Sequence, residues 1–315
     1  MRFLPSTLLS TYSIVARDPE TGQFGVAVQT HQMCVGWIVP WLLPGLGAAA
    51  TQAHVNISFG PVALAMLREG VAAPKIVDAL VASDPDAHRR QVAVVDAQGR
   101  VGAWTGKGTI QEAAHHIGEG YSVQANMMTN PTVVPAMTTA FESATGDLAQ
   151  RMLAALQAAQ AEGGDIRGMQ SAALKVVPGD ASKPVWETDY DLRVDEHDNP
   201  LGEIARLVRL RHAQLLDERG FRAFEQGQHD EAQAQWAQAR AEAPELEELP
   251  FWQAANLADK PADIQTAVGI LRPALADDPR RGHWIDLLRR MQTSGLLERK
   301  GAAEELIKAL GWADA

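Results

Sequence analysis

The stretch Thr11-Tyr12-Ser13-Ile14-Val15-Ala16-Arg17-Asp18 is the first in the chain that reads as a core element. Side chains of a strand alternate between faces, so Thr11, Ser13 and Val15 share one side and Tyr12, Ile14 and Ala16 the other. Asp18-Pro19-Glu20-Thr21-Gly22 has turn chemistry, and Phe24-Gly25-Val26-Ala27-Val28-Gln29-Thr30 reads as the returning strand. The pair predicts a hairpin. Taken alone, Thr11 is a β-branched residue where such residues pack well. The small residues of the paired strand leave room beside the strand end.

Working outward, 315 residues are enough for two domains with ample core. The net charge of −11 and the lack of any basic run argue against a nucleic-acid partner, which would draw on clustered Lys and Arg. The single cysteine, Cys34, excludes an intramolecular disulfide and reads as an inert buried thiol. Met1 to Ser10 is too short for a signal-peptide core. Val35 to Ala50 is apolar but is broken by Pro40 and Pro44, and it is too short to span a bilayer. The expectation is a soluble, cytoplasmic protein with no membrane partner.

Trp37 to Pro44 reads as a Pro-broken connection, and Gly47 to Ala53 as a buried strand of small residues. Gln52 and Asn56 bracket that strand's end. Their amides serve either turn hydrogen bonding or substrate orientation near a nucleophile. Pro61 to Glu69 and Pro74 to Ala82 predict helices with Pro in the first turn. Gln91 to Asp96 and Arg100 to Trp104 predict a second hairpin. His115-His116 precedes the strand-like Tyr121 to Met127, and no companion ligand has metal-site spacing. Gln124 and Asn126 are two apart, so they share a strand face, and with Thr129-Asn130-Pro131 they suit the rim of a polar pocket. Pro131 to Ser143 and Asp147 to Glu162 predict helices stopped by Gly163-Gly164. Asp165 and Arg167 are either a surface ion pair or the brace of a glycine loop, with Arg167 binding an acidic group. Ala172 to Val177 and Trp186 to Val194 predict the last strands, and Asp195-Glu196-His197-Asp198 a polar turn.

From Leu201 the pattern is helical, with an internal repeat. Gly220, Ala232, Ala239 and Pro244 return as Ala255, Ala267, Ala274 and Pro279, each 35 positions on. Small residues and a closing Pro at that spacing suit tetratricopeptide-like helix pairs, with inner turns at Gly227-Gln228-His229 and Lys260-Pro261. Trp284 to Met291 and Ala302 to Leu310 would cap the stack. Such arrays bind a peptide or protein partner or make a homo-oligomer.

Several ordered motifs resemble the bacterial family called domain of unknown function 1028. They are the Thr11–Asp18 stretch, Gly25-Val26-Ala27-Val28, Val35-Gly36 with Val39-Pro40-Trp41, and Gly47-Ala48 with Ala50-Thr51-Gln52-Ala53. Further on come Gly118-Glu119-Gly120-Tyr121-Ser122-Val123-Gln124-Ala125-Asn126-Met127, Gly163 to Leu174, and Leu192 to His197. The resemblance implies an α+β fold, a four-layer αββα sandwich like that of the Ntn hydrolases, over residues 11–210, followed by the helical domain at 211–315. It supplies no established reaction or substrate; the leading reading built on that fold is a hydrolase of a small-molecule amide. Thr11 would be an N-terminal nucleophile with its own α-amine as base, and Gln124 or Asn126 would be an oxyanion donor. Arg17, Gln52, Asn56, His116, Asp165, Arg167 and Ser171 would support the site or bind substrate, with no cofactor and no metal. Family members often begin Met-Thr. Here Met1 to Ser10 precede Thr11, so this chemistry requires cleavage at Ser10–Thr11 or another translation start. Two rival readings stand beside it: a catalytically silent binding or assembly module, and a metal hydrolase using His115, His116 or His197.

Overall fold

The structure, a computed structural model, describes residues 8–260 and 263–312. The expected leader before Leu8 and the expected turn at Pro261 lie outside the described residues. The chain divides into two compact units, Met1–Val208 and Arg209–Ala315, two residues short of the boundary expected from sequence.

In the first unit the opening hairpin forms as the alternation requires. Strands β2 (Thr11–Arg17) and β3 (Phe24–Thr30) pair antiparallel with Thr11 opposite Thr30. The Asp18 carboxylate accepts the Glu20 N–H at 2.8 Å, closing the turn. The hairpin is the centre of a six-stranded antiparallel sheet. Its order is β11 (Tyr190–Val194), β10 (Ser171–Val177), β3, β2, β9 (Tyr121–Asn126), β8 (Ala114–Gly118). A second antiparallel sheet contains β5 (Gly47–His54), β6 (Arg90–Asp96) and β7 (Val101–Thr105). Along the free edge of β5, β4 (Pro40–Leu43) pairs with one end and β1 (Leu8–Leu9) with the other.

The inner faces of the sheets meet through Val15, Val26 and Val28 on one side and Ala48, Ala50, Ala93 and Val95 on the other. Alanines at alternate positions of β5 let the sheets approach closely. Ala49, between them, faces outward to helices α1 (Phe59–Arg68) and α2 (Ala73–Ser83), where Phe59, Ala63, Leu67, Ile76 and Leu80 cover it. Helices α3 (Val133–Ser143) and α4 (Leu148–Ala161) cover the outer face of the six-stranded sheet. Asp147 and Gln150 start α4 as a capping box.

Three expectations change. The Trp37–Pro44 connection contains β4, because Pro can open an edge strand whose N–H side has no partner to lose. His115 and His116 precede the Tyr121 strand as expected but themselves lie on a further strand, β8. The last strand begins at Tyr190, leaving Trp186 outside it and 81% exposed.

The second unit is helical among its described residues, with α5 (Pro200–Glu225) entering it, then α6 (His229–Glu242), α7 (Glu248–Ala258), α8 (Ile264–Leu275), α9 (Arg281–Ser294) and α10 (Ala302–Leu310). Close packing occurs where the repeat placed small residues. A Cβ on Gly220 would lie 2.4 Å from the ring of the fully buried Trp236. Ala232, Ala239, Ala255 and Ala267 are buried too, whereas Ala274 is exposed, so the correspondence fails there.

Asp217 on α5 is buried beside Gln253, whose amide donates to it at 2.6 Å, and Arg240 in turn donates to Gln253. Burial pushes the Asp217 carboxyl up to about 6, outweighing the Gln253 hydrogen bond and the Arg240 charge. The folded form thus holds this proton more tightly than the unfolded chain. The stability it contributes is full below about pH 4 and is lost as pH rises through about 6. Asp217→Asn keeps the acceptor for Gln253 and removes the charge. In chemical denaturation it should stabilise the helical unit by about 1–3 kcal/mol at pH 8 and flatten its stability between pH 4 and pH 6.

Candidate active site at the sheet crossing

The chain passes from one sheet to the other at Ser10. Leu9 pairs with Ala53 in the second sheet, and Thr11 pairs with Thr30 and Asn126 in the six-stranded sheet. Ser10 and Thr11 are both completely buried. The Ser10 hydroxyl lies 3.2 Å from the Asn126 carbonyl and 3.3 Å from that of Met127. Two residues beside this crossing, Ala53 and Met127, have φ of +67° and +59° without being glycine. Such conformations cost about 1–3 kcal/mol each and persist only where the surroundings impose them.

The Ser10 carbonyl collects two donors. Thr30 Oγ1 donates to it, and Arg167 Nη2 reaches it at 3.4 Å. Thr11 Oγ1 lies 3.3 Å from Thr30 Oγ1. A hydroxyl has one proton, and that of Thr30 is committed to Ser10, so Thr11 is the donor between the two threonines. Arg167 is aimed by Asp165, which takes Nη2 at 3.0 Å and Nε at 3.2 Å. That carboxylate is buried and also accepts the backbone N–H groups of His31 and Arg167, both at 2.9 Å. A two-pronged pair with its remaining lone pairs satisfied holds a guanidinium in one orientation.

Behind Thr11 an amide network joins the sheets. Gln52 Nε2 donates to Gln91 Oε1 at 2.7 Å and reaches the Thr11 carbonyl at 3.3 Å. Asn126 Nδ2 donates to the same Gln91 oxygen at 3.0 Å and reaches the Thr11 carbonyl at 3.4 Å. Ser13 joins Gln124 to Gln52 with two 2.6 Å bonds. Gln91 Nε2 in turn donates to the Ala125 carbonyl and to Thr105 Oγ1, both at 2.9 Å. Thr105 meets His115 Nδ1 at 2.8 Å. Burial, reinforced by His116, lowers the His115 pKa and so favours the uncharged ring.

The structure brings together Thr11, Gln52, Gln124, Asn126, Asp165 and Arg167. Ser171 stands one step away, accepting the Val35 N–H at 3.1 Å and donating to the Gln32 carbonyl, which anchors the segment after β3. Gln124 and Asn126 are buried rather than on a pocket rim, and their donor groups are engaged by Ser13, Gln91 and Thr11. They position the strand, and the donors at the Ser10 carbonyl are Thr30 and Arg167. Arg17 ends β2 opposite Phe24, six residues or about 20 Å along the strand from Thr11. Asn56 turns away to Asp84, 3.2 Å from its amide. His116 is exposed beside Tyr121. Among the described residues no three His, Cys, Asp or Glu side chains converge as metal ligands, so His115, His116 and His197 are not brought to one point. Sequence reasoning missed Thr30 and Gln91. The hairpin register carried the first, and the second is the lone amide in an otherwise apolar strand core.

These features define an α+β domain of two stacked antiparallel sheets, with its polar centre buried at Thr11. The chain belongs to the family of unknown function DUF1028, whose model matches residues 11–204. The helical residues after that point lie outside the match. It is similar to the protein SPO2555 from Silicibacter pomeroyi, whose crystal structure carries the same family name. The two share 33% identity with a TM-score of 0.57, over 64% of this chain and 88% of that one. Anbu (ancestral beta-subunit) from Yersinia bercovieri aligns at 12% identity over 62% of this chain and 91% of its own. Its TM-score of 0.33 is too low to bear on the fold. No protein of curated function matches.

Gln91→Leu tests the network. It would take one hydrogen-bond partner each from Gln52, Asn126 and the Ala125 carbonyl in a buried site, at about 1–3 kcal/mol apiece. Urea denaturation should show a loss of about 3 kcal/mol or more for the first unit.

Proposed function

We propose that this protein is a hydrolase of a small amide, built on an Ntn-hydrolase-like αββα sandwich, and that Thr11 is its nucleophile once the Ser10–Thr11 bond is cut. The observation that carries this reading is the triangle of Thr11 Oγ1, Thr30 Oγ1 and the Ser10 carbonyl, with Arg167 on the same carbonyl. Attack of Thr11 Oγ1 on the Ser10 carbonyl carbon would form a C–O bond. The Thr11 proton would pass to Thr30 Oγ1 as the Thr30 proton moves to the Ser10 oxygen, so no separate base is required. Arg167 would stabilise the partial negative charge on that oxygen ahead of the proton's arrival. The C–N bond then breaks as the Ser10 oxygen gives up that proton and re-forms the carbonyl, the proton passes to the Thr11 nitrogen, and Ser10 is left as an ester on Thr11. Water hydrolyses the ester, giving a Ser10 carboxylate and a Thr11 with free hydroxyl and free α-amine.

That amine, which ordinarily titrates near ~8, is the general base for the external amide. Thr30 and Arg167 would then face the carbonyl of the substrate in place of that of Ser10. No helix among the described residues is long and apolar enough to cross a membrane. A second reading has its own support: Leu8–Leu9 pairs with β5 and Ser10 is buried, so an uncut chain is a well-packed protein. On that reading Thr11 is packing, and the helical unit carries the function by binding or assembly.

Intact mass and N-terminal sequencing separate the two. Purified wild type should begin at Thr11, and Thr11→Ser should do the same. Thr11→Ala should retain residues 1–10. Thr30→Val, which keeps the shape and removes the relay hydroxyl, should slow cleavage by about 100-fold or more. A wild-type chain that keeps its Ser10–Thr11 bond would leave the binding-module reading standing instead.

A further inference from the structure

The helical unit holds a pocket that owes nothing to Thr11. Trp252, Asn256 and Asp259 recur at four- and three-residue steps, so α7 and the residue after it present them along one stripe. Phe221 of α5, Met291 of α9 and Leu297 beyond it close a cavity of about 290 Å³. That volume suits one extended side chain or a small molecule.

The polar groups in this cavity are specific in sign. Asn256 lines the cavity, and its Oδ1 is buried with no hydrogen-bond partner among the described residues, so a turn of the amide would bring an unused acceptor to a ligand. An acceptor left bare in that way costs stability, and a bound donor would repay it. Asp259 lies one turn further on. One of its oxygens accepts the Arg299 backbone N–H at 2.7 Å, and no ion pair neutralises it among the described residues. The Arg299 guanidinium is occupied elsewhere, by the Ala258 carbonyl and by Glu305 at 2.6 Å. The remaining lining is aromatic and aliphatic. An aromatic wall with a carboxylate and an unpaired carbonyl repels an anion and favours a cation that carries several N–H donors on an apolar stem.

We infer that this pocket binds an alkylguanidinium or alkylammonium group, with Asn256 and Asp259 taking its N–H donors and Phe221 and Trp252 flanking its stem. The group can come from a free amine or from an arginine of a partner polypeptide. The inference is independent of any chemistry at Thr11.

Calorimetric titration of the full-length protein tests it with two probes, agmatine and a capped alanine pentapeptide with a central arginine. The same peptide with norleucine at the centre is the control. Binding of agmatine alone supports the site with a free amine as the source, and binding of the peptide alone supports it with a polypeptide source. Asn256→Leu should weaken either by about tenfold or more while leaving the melting temperature unchanged or higher, because it removes a bare buried acceptor. Asp259→Asn keeps the acceptor for Arg299 and should weaken binding to a similar extent. Neither probe binding up to about 10 mM, norleucine binding as well as arginine, or affinity unmoved in both variants would overturn the inference.

Discussion

Everything in the first unit is arranged around the Gln91 side chain. A primary amide buried between two sheets must find partners for both of its polar atoms, and sheets have few to offer away from their edges. Gln91 finds them on both sheets, Gln52 and Thr105 on the strands flanking its own and Asn126 and Ala125 across the interface. Its oxygen accepts from Gln52 and Asn126, and its nitrogen donates to the Ala125 carbonyl and to Thr105. Those bonds are short only in one register of β6 against β9. A slip of either strand by one residue would turn every inward side chain outward. The apolar contacts of Val15, Val28, Ala50 and Ala93 provide the attraction between the layers but tolerate sliding. The amides do not.

The same network fixes the Thr11 carbonyl, and from it the geometry at Ser10. Gln52 and Asn126 approach that carbonyl from opposite sheets, while Thr30 and Arg167 reach the carbonyl one residue earlier. Two successive peptide units are thus gripped. Asp165 makes the grip directional by locking the guanidinium of Arg167, and burial of that carboxylate is tolerable because every donor it needs is present.

Much of this was legible in the sequence. Alternation in Thr11–Arg17 and Phe24–Thr30 identified the hairpin, and with it the inward face of Thr11 and Ser13. Turn residues and Pro at first helical turns placed α1 to α4. The i, i+2 spacing of Gln124 and Asn126 put them on one face. What those amides face was not legible, because the partner strand β6 is distant in sequence and a strand pattern does not say which sheet it joins. That is why they read as a pocket rim when they are interior struts. Arg17 and His116 carried polar groups in matching motifs, yet strand length puts the first about 20 Å from Thr11, and β8, unrecognised as a strand, turns the second to solvent. The 35-residue echo picked out five small residues that are buried in the helical unit but overreached at Ala274, where the helix surface faces water.

The pairing of Leu8–Leu9 with β5 has a consequence of its own. These two residues sit on a free strand edge that β4 leaves open beyond Ala50. Whatever occupies that edge also delivers its carbonyl to Thr30 and Arg167. A segment severed after Ser10 would remain in the seat that any later extended ligand needs. On the proposed cleavage that segment would become a competitor, tethered at first and exchanging once released, and occupancy of the seat would depend on how weakly a two-residue strand holds on.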